Sequence, residues 1–148
     1  MKKLSSKEKD ILRQNIVDFA KKFVGVPYKY GATLKDAPQA FDCSGFIQYV
    51  YKNFGYEIPR STILQAEFIK KTVAGIGYII IGDLIYMHGE RGYYTKKFPQ
   101  GIGHVVLYIG DGKVIHAGGK GKSAGVKIDK IKNVITRSGP LVVIKRII

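Results

Sequence analysis

The chain contains a single cysteine, Cys43, among its 148 residues. One thiol excludes a disulfide within the chain and a cysteine-rich zinc site, because both need several cysteines. The fold must therefore be stabilised by packing, and a domain of this length buries roughly two-thirds of its unfolded surface. We expect one domain that spans residues 1–148.

Acidic residues are also scarce: 11 Asp and Glu stand against 25 Lys and Arg, so the formal net charge is +14. This balance favours polyanionic partners such as nucleic acid, an anionic membrane or an anionic cell-wall polymer. The lysines are spread along the chain, so a basic surface without a specific partner fits the sequence equally well. Because zinc-finger spacing and RNP-like motifs are both missing, we expect no specific nucleic-acid binding.

Long apolar runs are missing too. No stretch approaches the 18 or more apolar residues that would predict a transmembrane helix. The first four residues resemble the start of a signal peptide, but the polar residues 5–10 are not an apolar core. We expect no transmembrane segment, and either no export signal or a chain that begins after it.

Hydrophobic spacing predicts helices in the first half of the chain and strands in the second. The helices are expected at residues 5–23, from about residue 42 to Gly55, and at residues 61–71 with Leu64 and Phe68 facing inward. Ser5 and Glu8 form the pattern of a capping box. The predicted strands are residues 78–81, 84–87, 105–109, 114–117, 126–128 and 141–148. Helices followed by strands favour an α+β fold with a mostly antiparallel sheet.

Cys43 lies where the second predicted helix begins. With Asp42 as the N-cap, the thiol falls in the first turn, where unpaired N–H groups and the helix dipole favour an anion. The sequence therefore predicts a lowered pKa for Cys43. Ser44 and Gly45 are small, which leaves backbone N–H groups open to a reacting oxyanion. A buried structural cysteine is the alternative interpretation.

Two histidines, His104 and His116, lie on predicted strands that flank residues 110–112. A two-residue turn would pair Leu107 with His116 and put the imidazoles on opposite faces of the sheet. An odd-numbered loop or a bulge would put both on one face. A catalytic role requires that second arrangement, with Cys43 as nucleophile, His104 as its base and His116 orienting His104.

These motifs resemble the NlpC/P60 family of papain-like cysteine peptidases, which cleave cell-wall peptides. Asp42-Cys43-Ser44-Gly45-Phe46 is similar to the nucleophile motif, and residues 103–105 and 115–117 are similar to the two histidine motifs. Residues 25–31, 59–61 and 82–86 resemble further family segments in family order. The resemblance covers about residues 11–148.

The resemblance implies a papain-like α+β fold, with N-terminal helices packed on a mostly antiparallel sheet of five to six strands. It implies Cys43 as nucleophile, His104 as general base and His116 as third catalytic residue, with no metal or cofactor. Tyr28 falls beside the nucleophile, where its hydroxyl could support the oxyanion. Four residues fall near family positions that contact the substrate peptide: Asp42, Ser44, Arg60 and Ser61.

The implied reaction is hydrolysis of peptidoglycan stem peptides or muropeptides at the γ-D-glutamyl–diamino acid bond. The implied protein is a monomer that is secreted, associated with the cell wall or delivered by phage. Residues 88–101 form a longer connection than is usual in the family. We expect this segment to be either a lid or a mobile surface loop. As a lid, it could meet an acidic stem peptide through Tyr93, Tyr94, Lys96 and Lys97.

Other functions remain open at this point. The same three residues could serve an amidase or acyltransferase acting on another amide or ester, or the domain could bind the wall without catalysis. A metal site formed by Cys43, His104 and His116 with His88 is a further alternative. The wide spacing of these ligands and the lack of a CxxC pair argue against it.

Overall fold

The computed structural model describes residues 3–90 and 92–148. In this part of the chain, four α-helices and six β-strands are present. The helices are α1 (Ser6–Lys21), α2 (Cys43–Lys52), α3 (Thr62–Phe68) and α4 (Ile131–Ser138). The strands are β1 (Lys71–Val73), β2 (Leu84–Met87), β3 (His104–Gly110), β4 (Lys113–Gly118), β5 (Gly125–Lys130) and β6 (Leu141–Arg146). No helix among the described residues has the length and apolarity needed to cross a membrane.

The six strands form one antiparallel sheet in the order β1-β6-β2-β3-β4-β5. The prediction of an α+β fold with a mostly antiparallel sheet is confirmed. The last strand, β6, lies between β1 and β2, so the end of the chain becomes an interior strand of the sheet. The strands that hold the two histidines, β3 and β4, are neighbours.

Apolar side chains cover both faces of the sheet. The larger cluster packs α1, α2 and α3 against one face and includes the fully buried Phe46, Tyr51 and Leu107. The smaller cluster lies on the other face and includes Val106, and Val134 of α4. Because neighbouring residues of β3 enter different clusters, the strand shows the alternation expected of a doubly covered sheet. The sheet therefore fixes the position of α2 on one side and of α4 on the other.

The start of α2 is built from the residues predicted to cap it. The Asp42 side chain accepts a hydrogen bond of 2.8 Å from the backbone N–H of Gly45, which is the geometry of an N-cap. Cys43 is the first helical residue. A side chain at position 45 would place its Cβ 2.8 Å from the Asp42 carboxylate, so this cap requires glycine there. The capping box of α1, formed by Ser5 and Glu8, is also present.

The hairpin between β3 and β4 confirms the bulge that the catalytic interpretation required. Gly110 pairs with Lys113 across a two-residue turn, and the register shifts between Tyr108 and Gly110. Both turn residues, Asp111 and Gly112, have positive φ, as a type I′ hairpin turn demands. The bulge pairs Leu107 with Ile115. His104 and His116 therefore lie on the same face of the sheet.

Three predicted elements differ from the structure. Residues 78–81 are not a strand, because a 3₁₀ turn (Ile76–Tyr78) includes the first of them and the Asp83 carboxylate accepts the N–H of Ile80 at 2.9 Å. The predicted third helix ends at Phe68, and residues 71–73 form β1 instead. The sequence pattern also missed α4, a short helix that has one buried residue, Val134.

The inward face of α3 was also predicted wrongly. Leu64 and Phe68 are 52% and 59% exposed. Gln65 is buried instead, because its side-chain N–H₂ group donates to the Ser44 and Pro59 carbonyls at 3.0 and 2.9 Å. Its carbonyl oxygen accepts from the Tyr86 hydroxyl at 3.0 Å. A fully hydrogen-bonded amide can be buried at little cost, and this one sets the rotation of the helix.

Candidate active site

The two histidines predicted to act together are in direct contact. Nε2 of His104 lies 2.9 Å from Nδ1 of His116, and the ring planes are at 81°. Nε2 of His116 lies 2.7 Å from Oδ2 of Asp129, which also accepts from Arg137 at 3.1 Å. The site therefore contains a continuous chain of hydrogen bonds from Asp129 through His116 to His104.

Asp129 was not identified from the sequence. It lies on β5, where Val114 pairs with Asp129 and His116 pairs with Lys127. Asp129 is thus the diagonal neighbour of His116 on the same face, within reach of a long side chain. Alternation along β5 could have grouped Asp129 with Lys127, but the pairing of β5 with β4 cannot be read from the sequence alone.

The ionised carboxylate of Asp129 determines the tautomers along this chain. Burial raises the pKa of Asp129, but the hydrogen bonds and charges of His116 and Arg137 outweigh it and lower the pKa below its usual value. A carboxylate only accepts, so His116 donates from Nε2 and accepts at Nδ1. His104 then donates from Nε2, which leaves the lone pair on its Nδ1 as the proton acceptor.

The thiol of Cys43 lies against the start of β3, the strand that begins with His104. Its Sγ lies 3.7 Å from the carbonyl oxygen of Gly103, the residue before His104. Cys43 is 8% exposed, and both it and His104 line the same cavity. The fold thus brings together the three residues predicted as a catalytic set, although Cys43 lies on a helix and both histidines lie on the sheet.

The predicted fall in the pKa of Cys43 is wrong. Burial raises the pKa of the thiol to about 12, and the negative charge of Asp42 adds to the rise. Hydrogen bonds from backbone N–H groups at Val105 and Ser44, together with the charge of Arg60, act in the opposite direction but are weaker. In this buried position, the desolvation of a thiolate outweighs the favourable effect of the helix dipole.

His104 is neutral as well. Burial, followed by the neighbouring His116 and Arg137, lowers the pKa of His104 to about 3. Burial also lowers the pKa of His116, against the opposing effect of Asp129. The resting site therefore holds a neutral thiol and a neutral imidazole, and a proton must move between them when the sulfur reacts.

This neutral pair predicts slow thiol alkylation at neutral pH. We expect the rate of Cys43 with iodoacetamide to rise about tenfold per pH unit between pH 7 and 9.5, because only the thiolate reacts. Mass spectrometry of the intact protein at timed intervals measures it, and a free thiol of ordinary pKa, about 8.5, serves as reference. A rate that levels off below pH 8 would show that Cys43 ionises far more easily than its burial implies.

Two cavities meet at Cys43, and Tyr28, Tyr30 and Gly103 border both of them. We call the larger one, of about 820 Å³, the histidine-side cavity, because His104 and His116 line it. The smaller one, of about 390 Å³, is the arginine-side cavity. Volumes of this size suit small ligands or short peptides.

All four residues predicted to contact substrate line the arginine-side cavity: Asp42, Ser44, Arg60 and Ser61. The Arg60 guanidinium forms an ion pair of 2.6 Å with Asp42 and donates to the Ser44 hydroxyl at 2.8 Å. It also donates to the Ala32 carbonyl. Tyr28 lines both cavities together with Cys43, and its backbone bridges to Phe41. Their roles toward a substrate remain predictions.

The connection over residues 88–101 borders both cavities. Gly89 and Glu90 line the histidine-side cavity, and Tyr93 lines the arginine-side cavity. The Tyr93 hydroxyl lies 2.9 Å from that of Tyr30. Of the four residues predicted to meet an acidic peptide, Tyr93 is the one that lines either cavity, and Tyr94, Lys96 and Lys97 do not. A lid role remains a prediction.

In the fourth residue of the metal-site alternative, His88, both ring nitrogens have partners outside the proposed set. Its ring nitrogens contact the Gly89 carbonyl at 2.6 Å and the Tyr94 hydroxyl at 3.1 Å. Over residues 3–90 and 92–148, no group of three or more His, Cys, Asp or Glu side chains could hold a metal ion.

Comparison with known proteins agrees with the fold and the motifs. The model of the NlpC/P60 family matches residues 25–143. A probable endopeptidase of Corynebacterium glutamicum is 38% identical over 104 residues, which are 70% of this chain and 42% of that protein. The γ-D-glutamyl-L-lysine dipeptidyl-peptidase of Bacillus subtilis is 35% identical over 114 residues, 74% of this chain and 33% of its own length.

A solved structure extends the comparison to three dimensions. The NlpC/p60 domain of the peptidoglycan hydrolase SagA aligns with a TM-score of 0.69 at 27% identity, over 91% of this chain and 98% of that one. The chain belongs to the NlpC/P60 family. It spans less than half the length of the two curated relatives described above.

Proposed function

We propose that this domain is a cysteine endopeptidase that hydrolyses stem peptides of peptidoglycan at the bond between γ-D-glutamyl and a diamino acid. One observation carries the proposal: a thiol at the start of α2 lies in the same cavity as a histidine whose free nitrogen is set by the chain from Asp129. The names of the relatives from C. glutamicum and B. subtilis support a peptidase.

The first step forms a thioester. As the sulfur of Cys43 attacks the scissile carbonyl carbon, its proton moves to Nδ1 of His104. The carbonyl oxygen becomes an oxyanion, which the backbone N–H groups at the start of α2 and the Tyr28 hydroxyl stabilise. The imidazolium of His104 then gives its proton to the leaving nitrogen, the C–N bond breaks and the amine departs.

The second step releases the acyl fragment. A water molecule loses a proton to Nδ1 of His104 and attacks the thioester carbon, which forms a carboxylic acid and returns the proton to the sulfur of Cys43. In both steps His104 becomes positive for a short time. The ionised Asp129, acting through His116, stabilises that charge, so a low resting pKa of His104 does not prevent the transfer.

Digestion of defined stem peptides tests the reaction. Purified protein is incubated with synthetic stems that contain a γ-D-glutamyl-L-lysine bond, and products are identified by mass spectrometry. We expect two fragments, one ending in D-glutamate and one beginning with lysine. Matched stems with an α-linked glutamate control for the bond type. If the protein cuts only an ester or a non-peptide amide, the amidase or acyltransferase alternative is correct.

Asp129 should act as a positioning residue in this reaction. We expect Asp129→Asn to lower kcat by about 10- to 100-fold with little change in KM. The loss should be smaller than in a triad whose carboxylate contacts the catalytic histidine directly, because here the His116 imidazole lies between Asp129 and His104. An amide can donate to Nε2 of His116, which would reverse both tautomers and protonate Nδ1 of His104.

Two measurements separate this role from simple destabilisation. Nitrogen-15 NMR of the imidazoles should show a change of tautomer in Asp129→Asn, and thermal unfolding should be nearly unchanged. The matched control is Asp111→Asn, which makes the same substitution in the β3–β4 turn, at a left-handed position that asparagine tolerates. Equal kcat in the wild type and Asp129→Asn would remove Asp129 from the mechanism.

The proposed substrate places the protein at the cell wall, either secreted or delivered there by phage. The net charge of +14 would favour contact with anionic wall polymers through the basic surface. A monomer suffices for the proposed reaction, because the proposed nucleophile, base and orienting residues all come from one chain.

A further inference from the structure

The two cavities at Cys43 hold different parts of a substrate, if the proposed function is correct. The leaving nitrogen must receive its proton from His104, so the departing fragment lies in the histidine-side cavity. The acyl fragment stays bonded to the sulfur and extends into the arginine-side cavity. Of the two fragments, the departing one therefore lies nearer to the charges of the histidine-side cavity.

That cavity is positively charged. Lys120, Lys127 and Arg137 line it, and among the described residues of its lining Glu90 is the one acidic residue. Lys120 pairs with Glu90 at 2.9 Å. Arg137 pairs at 3.1 Å with Asp129, which is not among the lining residues. Lys127 forms no ion pair with any residue that the structure describes, so its charge is available to a ligand.

The position of Lys127 brings this charge beside His116. Lys127 pairs with His116 across β5 and β4, so both side chains lie on the same face of the sheet. A Cβ at position 119 would clash with the Lys127 ammonium. The ammonium is therefore packed against the backbone of Gly119, where β4 ends. A half-buried cation held in this way interacts more strongly with an anion than a lysine in open solvent does.

We propose that the histidine-side cavity binds a free carboxylate on the departing fragment and that Lys127 is its main partner. An amino acid that leaves through its α-nitrogen carries a carboxyl group on the adjacent carbon. If the stem ends at that residue, the carboxyl is a free carboxylate close to the leaving nitrogen. If the carboxyl is amidated or the stem continues, the charge is missing and Lys127 has no counterion there. The domain should therefore prefer short stems with a free terminal acid.

The test compares three synthetic stems that share the same γ-D-glutamyl bond. The first ends in L-lysine with a free carboxylate, and the second is its carboxamide. The third has diaminopimelate in place of lysine, with its α-carboxyl amidated and its side-chain carboxylate free. We expect kcat/KM to be about 10-fold higher for the first than for the second, mainly through KM. If the third stem is cleaved as fast as the first, any nearby carboxylate is recognised. If the third stem is cleaved only as fast as the second, the α-carboxylate is the group that is recognised.

Substitutions then assign the preference to Lys127. Lys127→Gln should bring the ratio of free acid to carboxamide close to 1, while Lys127→Arg should preserve it. The comparison between substrates cancels any general effect of Lys127 on His116. Lys113→Gln is the matched control, because it removes the same charge from β4 at a position that lines neither cavity. It should leave the ratio unchanged.

Binding to the inactive Cys43→Ala protein gives a readout that does not depend on turnover. Calorimetry should show weaker binding of the carboxamide than of the free acid, and Lys127→Gln should abolish the difference. Equal cleavage and equal binding of the two stems by otherwise active protein would overturn the inference and leave the proposed function intact. Failure to cut any stem would instead overturn the proposed function, and the inference with it.

Discussion

Cys43→Ala should reduce hydrolysis of a stem peptide by at least about 10³-fold. The sulfur is the atom that forms the thioester, and this chain has no second cysteine that could replace it. The loss should appear in kcat while substrate binding persists, because the lining of both cavities is otherwise unchanged. Product formation measured by mass spectrometry over several hours is sensitive enough to detect a loss of this size.

The Cys43→Ala result needs proof that the protein is still folded. Cys43 is 8% exposed and packs in the larger core cluster, so alanine leaves a small void. Circular dichroism and thermal unfolding should show the native fold with a modest loss of stability. Cys43→Ser fills the same space but has a weaker nucleophile, and it should also be nearly inactive. Turnover within a few-fold of the wild type in either variant would show that Cys43 is not the nucleophile.

His104→Ala should have the second largest effect, a loss in kcat of about 10³- to 10⁴-fold. With the pKa of Cys43 raised to about 12, almost no thiolate forms unless a base takes the proton during attack. Without His104 the thiol keeps its proton, and the leaving amine has no donor. The double variant of Cys43 and His104 should be no worse than either single variant, because residues that act as a unit are not additive.

His88→Ala is the natural control for His104→Ala. His88 lines neither cavity, and its ring contacts Tyr94 and the Gly89 carbonyl. We expect its activity to stay within a few-fold of the wild type. If His88→Ala and His104→Ala lose activity equally while both remain folded, His104 has no special role as the base.

Much of the candidate site could be predicted from the sequence because its signals are local. The cap at Asp42 and the first helical turn at Cys43 depend on residues next to each other, and the structure has both. Strand alternation showed that the two histidines can share one face of the sheet only if the hairpin has an odd-numbered loop or a bulge. The bulge between Tyr108 and Gly110 answers that question.

Other features of the site depend on pairings that sequence periodicity does not specify. Asp129 reaches His116 because β5 pairs with β4 in one particular register. The burial of Gln65, rather than Leu64 and Phe68, depends on acceptors that come from Ser44 and Pro59. In each case the decisive partner lies on another element, and its contribution appears only when the two elements meet.

The sequence by itself determined which residues of this protein are able to do chemistry: one thiol at a helix start and two histidines on one hairpin. Only the tertiary structure decided the protonation states of these three residues and added Asp129 as a fourth member of the site. A helix start favours a thiolate, but packing α2 against the sheet removes water from Cys43 and raises its pKa. The pairing of β5 with β4 places Asp129 against His116, so that its carboxylate sets the tautomers of both histidines. Desolvation and strand register both arise from contacts between distant parts of the chain, which is why neither could be predicted from local sequence.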